Sequence, residues 1–131
     1  MLTRRCERCF SNLFAKYLMA SQAIGGVIAV VEDPMVASFL STILRRKGYR
    51  VLPLETDECL KLLRSGNSGI GVLVTNAPAP FQEFAKTLPL LYLSSYPELK
   101  ATSPFRICRV LRKPFHPQQL LAFVDELLAP M

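Results

Sequence analysis

No apolar run in this sequence reaches the roughly 18 residues that a bilayer-spanning helix needs. The amino-terminal stretch also lacks the uninterrupted apolar core of a secretory signal. There is one histidine in the chain, His116, and it precedes Pro117 far in sequence from Cys6 and Cys9. The four cysteines are Cys6, Cys9, Cys59 and Cys108. Cys6-x-x-Cys9 has metal or redox spacing, but no second cysteine pair and no histidine pair comes after it to complete a zinc site. On a helix these two residues simply share a face, and a reducing compartment suits them best. No glycine-rich loop stands after the first apolar run, which removes the usual phosphate cradle of nucleotide-binding sheets. Internal repeats and low-complexity tracts are also absent. Half of the residues are hydrophobic and a fifth are charged, the composition of one globular domain with a real core. Eight of the ten prolines lie from Pro78 onward, so the second half is expected to be turn-rich with short helices.

The formal net charge is +6. Half of that excess sits in the first eighteen residues, where Arg4, Arg5, Arg8 and Lys16 face Glu7 alone. Residues 2–19 read as an amphipathic helix, with Leu2, Cys6, Cys9, Phe10, Leu13, Phe14, Tyr17 and Leu18 at helical spacing. Such a helix could dock on the body, pair with another subunit or lie on an anionic surface. Alternatively, Met19-Ala20-Ser21 is the working start. The division expected is a basic helix and linker over 1–26 and a folded domain over 27–131.

From Val27 the pattern alternates. Val27 to Val31 is a continuous apolar run, as in a strand buried on both faces. Asp33-Pro34 reads as an N-cap with proline at the first helical position. Val36, Phe39, Leu40, Ile43 and Leu44 form the apolar stripe of that helix. Arg45, Arg46 and Lys47 suit its last turn and Gly48 its stop. Tyr49 to Leu54 is a second strand. Thr56 caps a helix containing Leu60, Leu62 and Leu63, which ends before Gly66. Ile70 to Thr75 is a third strand. Strand–helix–strand–helix–strand predicts right-handed crossovers and a parallel sheet. Beyond it, Phe81 to Leu88 allows two turns, Leu90 to Leu93 a fourth strand, and the stretch between Pro97 and Pro104 a short helix at most. Ile107 to Arg112 is a fifth strand. Pro117 opens a last helix that faces Leu120, Leu121, Val124, Leu127 and Leu128 inward.

In an open parallel sheet the carboxyl ends of the strands converge on one crevice. Here those ends carry Glu32-Asp33, Asn76, Ser94 and Lys113-Pro114. This set, in this order, resembles the receiver (CheY-like) domain of two-component response regulators, over about Val27 to Ala129. The resemblance implies a flavodoxin-like α/β fold with a doubly wound, five-stranded parallel sheet in the order 2-1-3-4-5. The third and fourth helices would be shortened. It also assigns roles: Glu32 and Asp33 to the acidic pair that holds magnesium, Asn76 to the phosphoacceptor position, and Ser94 to the switch hydroxyl. Lys113 would contact the phosphate, aimed by a cis bond to Pro114, and Pro80 fills a position where the family commonly has proline. Simpler readings stand beside these, with Asp33 as an N-cap and Asn76 as a turn residue.

The departures matter as much. The family has aspartate where this chain has Asn76, and an amide is no nucleophile toward phosphorus. An aromatic residue commonly stands where this chain has Val110. Matches and departures together imply a degenerate receiver, not an enzyme, that signals by protein–protein contact without aspartyl phosphorylation. It needs no cofactor and binds magnesium weakly at best. Expected partners are a histidine kinase, a downstream effector or a second copy, in the cytoplasm. The basic residues Arg106, Arg109, Arg112 and His116 would form a rim for an acidic partner. The alternatives are a small flavodoxin-like cofactor-binding or enzymatic domain, and a DNA- or membrane-associated adaptor acting through the basic helix. The modest charge of that helix disfavours nucleic acid and membrane as partners.

Overall fold

The computed structural model describes residues 26–129. The amphipathic helix expected over 2–19, its Cys6-x-x-Cys9 spacing and nearly all of the linker lie outside the described residues.

Five strands form one sheet: β1 (Val27–Val31), β2 (Arg50–Pro53), β3 (Ile70–Thr75), β4 (Leu90–Ser94) and β5 (Cys108–Arg112). Their order is β2-β1-β3-β4-β5, and every neighbouring pair is parallel. The helices are α1 (Pro34–Arg46), α2 (Thr56–Ser65), α3 (Leu99–Thr102) and α4 (Pro117–Leu128), with a 3-10 segment over Ala79–Phe84. Among the described residues, no helix is long and apolar enough to cross a membrane.

Strand periodicity splits the core into two layers. Ile28, Val30, Val72, Val74, Leu91 and Leu93 face one side, where they meet Leu40 and Leu44 of α1 and Leu120, Val124 and Leu127 of α4. Ala29, Val31, Leu73, Leu90 and Tyr92 face the other, where they meet Cys59 of α2, Phe81, Ala85, Leu88 and Phe105. Both faces of β1, β3 and β4 are covered, which is why their sequences read as unbroken apolar runs. The edge strand β2 keeps only Val51 buried and ends in Pro53, a residue an edge tolerates because its missing N–H removes no interior ladder bond.

Local chemistry sets the boundaries of the helices. Asp33 accepts a hydrogen bond from the Val36 N–H at 3.2 Å and caps α1, with Pro34 in its first turn. Gly48, at φ +99°, takes the chain out of α1 in a conformation other residues seldom adopt. Arg45 then donates from Nη2 to the Val51 carbonyl at 2.9 Å, tying the end of α1 to β2.

Several expectations need correction. Phe39 does not join the inward stripe of α1. The side of the helix carrying Ala37, Leu40, Ser41 and Leu44 faces the sheet, and Phe39 is 52% exposed, leaning on Phe115 with ring centroids 6.4 Å apart. In α2 the fully buried residue is Cys59, with Leu60 and Leu63 half-buried beside it. A thiol is small enough to bring the helix close to the sheet. The α2 cap is Glu55, whose N–H donates to Glu58 Oε1 at 2.9 Å, and Thr56 is the first helical residue. Strands β2 and β5 are shorter than their apolar runs, losing Tyr49, Leu54 and Ile107.

Burial pushes the Cys59 thiol up to about 11, and it raises Cys108 against the opposing pull of Arg109 and Thr102. Thiolate is the reactive species. Native protein treated with iodoacetamide at neutral pH should therefore leave Cys59 unlabelled, and denatured protein should label it. Peptide mass mapping reads this directly, and rapid native labelling of Cys59 would contradict the packing of α2.

Candidate functional site

The sheet register brings the strand ends together. Val31 pairs with Thr75, and Thr75 with Tyr92, so Glu32 and Asn76 are the first residues past two aligned, neighbouring strand ends. Adjacent strands lie about 4.8 Å apart. Ser94 pairs with Arg112 at the matching ends of β4 and β5, and the Lys113 N–H donates to the Ser94 carbonyl at 3.0 Å. The Lys113–Pro114 peptide is cis, as the Lys-Pro pair implied. The strand order reverses on the two sides of β1, which places this crevice at the switch point of the sheet.

Lys113 Nζ lies 3.1 Å from Glu32 Oε2. The Glu32 side chain has no exposed surface, and that of Lys113 is 24% exposed. At this separation the two groups form a contact ion pair, but the approach is not that of a hydrogen bond. Neither Glu32 oxygen has a hydrogen-bond partner among the described residues. The pair reaches from the end of β1 to the end of β5, and β3, which Asn76 follows, and β4 lie between those strands in the sheet. Sequence reasoning named both partners but gave them separate tasks. Opposite charges at the ends of two strands, with a neutral amide at a third, were the signal that they would meet each other.

The other site residues are occupied locally. The Asp33 carboxylate is exposed and serves the α1 cap. Asn76 is exposed and comes after the buried Thr75, whose Oγ1 accepts from the Ala77 N–H at 3.1 Å and shapes the turn out of β3. Ser94 Oγ accepts from the Tyr96 N–H at 3.1 Å, and the Tyr92 hydroxyl accepts from the Glu98 N–H at 3.2 Å; these two bonds hold the loop after β4. Val110, half-buried on β5, packs against the second core layer. Pro80 lies within the 3-10 segment downstream of Asn76.

A magnesium ion asks for oxygen donors with net negative charge in an octahedral shell. This crevice offers one buried carboxylate already facing a lysine cation, a second carboxylate turned to a helix cap, and an uncharged amide. Among the described residues, no three histidine, cysteine, aspartate or glutamate side chains are grouped to hold a metal. With Lys113 in contact with Glu32, the residues present do not fit a divalent ion.

The basic rim is also smaller than its sequence implied. Arg109 Nη2 is paired with Glu126 Oε2 of α4. The hydrogen bond from Arg109 holds the Glu126 carboxyl below its ordinary range. Arg106, Arg112 and His116 remain exposed.

No protein-family model matches the sequence, and no curated protein is significantly similar to it. Solved structures do match. The receiver domain of the hybrid histidine kinase CckA aligns with a TM-score of 0.64 at 23% identity, over 79% of this chain and 100% of that one. The signal receiver domain of an HD domain-containing protein from Pseudomonas fluorescens aligns with a TM-score of 0.68 at 20% identity, over 84% and 91%. The chemotaxis protein CheY4 of Vibrio cholerae aligns with a TM-score of 0.64 at 21% identity, over 81% and 100%. With the strand order, these likenesses establish that the chain has the response-regulator receiver fold, the CheY-like form of the flavodoxin-like sheet.

Proposed function

We propose that this chain is a degenerate receiver, an interaction module in two-component signalling whose output does not depend on an aspartyl phosphate. The observation that carries this reading is Asn76 at the end of β3, beside the crevice of a receiver fold. A phosphoacceptor must be an anionic oxygen nucleophile. An amide has neither the charge nor the lone-pair basicity for attack on phosphorus, so no acyl phosphate forms. The Glu32–Lys113 pair supports the same conclusion, because the cation that would meet a phosphoryl group is already matched by a carboxylate.

Such a module acts through its surface and not through chemistry of its own. Its partner is a histidine kinase or a downstream effector. Arg106 and Arg112, exposed and without an ion-pair partner among the described residues, favour an acidic contact surface on that partner.

Incubation with acetyl phosphate and magnesium, with intact-mass measurement under neutral conditions, should leave the mass unchanged. A stable, acid-labile gain of one phosphoryl group on the native chain would overturn the reading.

A further inference from the structure

We propose that Lys113 acts as an internal counter-ion in place of a divalent cation, so that the native crevice is indifferent to magnesium and becomes a magnesium site once that lysine is neutralised. The inference rests on the geometry of the crevice and stands whether or not the chain signals in the way proposed above.

Glu32 is the central observation. Its side chain is fully buried and neither carboxylate oxygen accepts a hydrogen bond from the described residues, although buried polar atoms nearly always find partners. An isolated buried carboxylate is strongly disfavoured, so something must supply positive charge. Among the described residues, the cation in contact is Lys113 Nζ, at 3.1 Å from Oε2. A lysine is a compact point charge on a flexible stem and can stand where a small metal ion would. It also carries one charge against one carboxylate, which leaves the exposed Asp33, engaged as a cap, to draw a divalent ion from water. Magnesium gives up its hydration shell reluctantly and is usually bound through one or two carboxylates with several waters retained. With Lys113 present, Glu32 is neutralised and Asp33 is engaged as a cap. With Lys113 removed, Glu32 becomes an unmatched anion next in sequence to the exposed Asp33, with the Asn76 amide at the neighbouring strand end.

The test compares thermal unfolding midpoints of the full chain, Lys113→Met and the double variant Glu32→Gln/Lys113→Met. Each is measured with and without about 10 mM magnesium chloride at matched ionic strength. The native chain should move by less than about 1 °C. Lys113→Met should unfold at a lower temperature without metal and regain roughly 5 °C with it. The double variant should not respond. Magnesium raising the native midpoint as much as the variant's, a Lys113→Met midpoint that ignores magnesium, or a responsive double variant would each overturn the proposal. If Lys113→Met does not fold without metal, circular dichroism should show it folding on magnesium addition, and failure to do so overturns the proposal. Titration of the native chain with manganese, monitored by the electron paramagnetic resonance signal of the free ion, is a direct second measurement. No bound fraction is expected at sub-millimolar manganese, and tight binding would refute the idea. A phosphoryl gain on the native chain would sink the signalling reading alone; a metal response of the native chain would sink this one.

Discussion

Phe81→Ala is expected to lower the stability of the domain by about 3–5 kcal/mol, a large share of the roughly 5–15 kcal/mol that a domain of this size has in total. Phe81 is among the largest side chains in the molecule with no exposed surface. It belongs to the second core layer with Ala29, Val31, Leu73 and Tyr92. The backbone that carries it is a 3-10 segment of six residues, and its N–H donates to the Pro78 carbonyl at 2.9 Å. So short a segment supplies little stability of its own. Its place on the sheet depends on what it buries, chiefly Phe81, with Ala85 and Leu88 behind it. The Phe81 ring substitutes for a full third helix. Truncation to alanine removes the apolar transfer energy and leaves a cavity between β3 and the loop after it. Urea denaturation monitored by circular dichroism should show a lower midpoint at nearly unchanged slope. Phe84→Ala, at a half-buried neighbour, should cost less than half as much. A loss below about 1 kcal/mol for Phe81→Ala would mean that this segment is not docked as described.

Most of the features legible in the sequence are those fixed by short-range rules. The β1 run, the Asp33-Pro34 start of α1 and the Gly48 stop each depend on neighbours within a few residues, and each lies where expected; the cis Lys113–Pro114 bond lies where the family resemblance implied it. The features that were not legible depended on direction or on distant contacts. Phe39 and Leu40 are both compatible with one apolar stripe, and only the position of the sheet decides that Leu40 is buried while Phe39 turns toward Phe115. The 3-10 segment was not legible as such because Phe81 to Leu88 allows two turns of either helix type, and Pro80 in the first turn suits both. Arg109 read as a free cation because Glu126 approaches it only once α4 packs beside β5. For the same reason the five strand-end residues could be assembled into one crevice by topology, but the partner that Lys113 chooses could not be read.

That choice sets the second large effect. Lys113→Met and Glu32→Gln remove the same ion pair, yet their costs should differ. Lys113→Met leaves a carboxylate with no exposed surface and, among the described residues, no hydrogen bond, next to an apolar side chain. Breaking a buried pair in this way typically costs about 3–5 kcal/mol. The lysine here is 24% exposed, so about 2–4 kcal/mol is the reasonable expectation. Glu32→Gln removes the buried charge, and the Lys113 ammonium can extend into water from its partly exposed position. The amide that replaces the carboxylate is still short of partners, but its desolvation is far less unfavourable. A change within about 1 kcal/mol of native, of either sign, is expected. The double variant should return close to Glu32→Gln, which gives a coupling energy of the same order as the loss in Lys113→Met. Urea midpoints at neutral pH and low salt measure all three. Equal losses in the two single variants would place the energy in packing of the two side chains and not in their charges. A harmless Lys113→Met would mean that Glu32 reaches solvent in the native protein, contrary to its full burial.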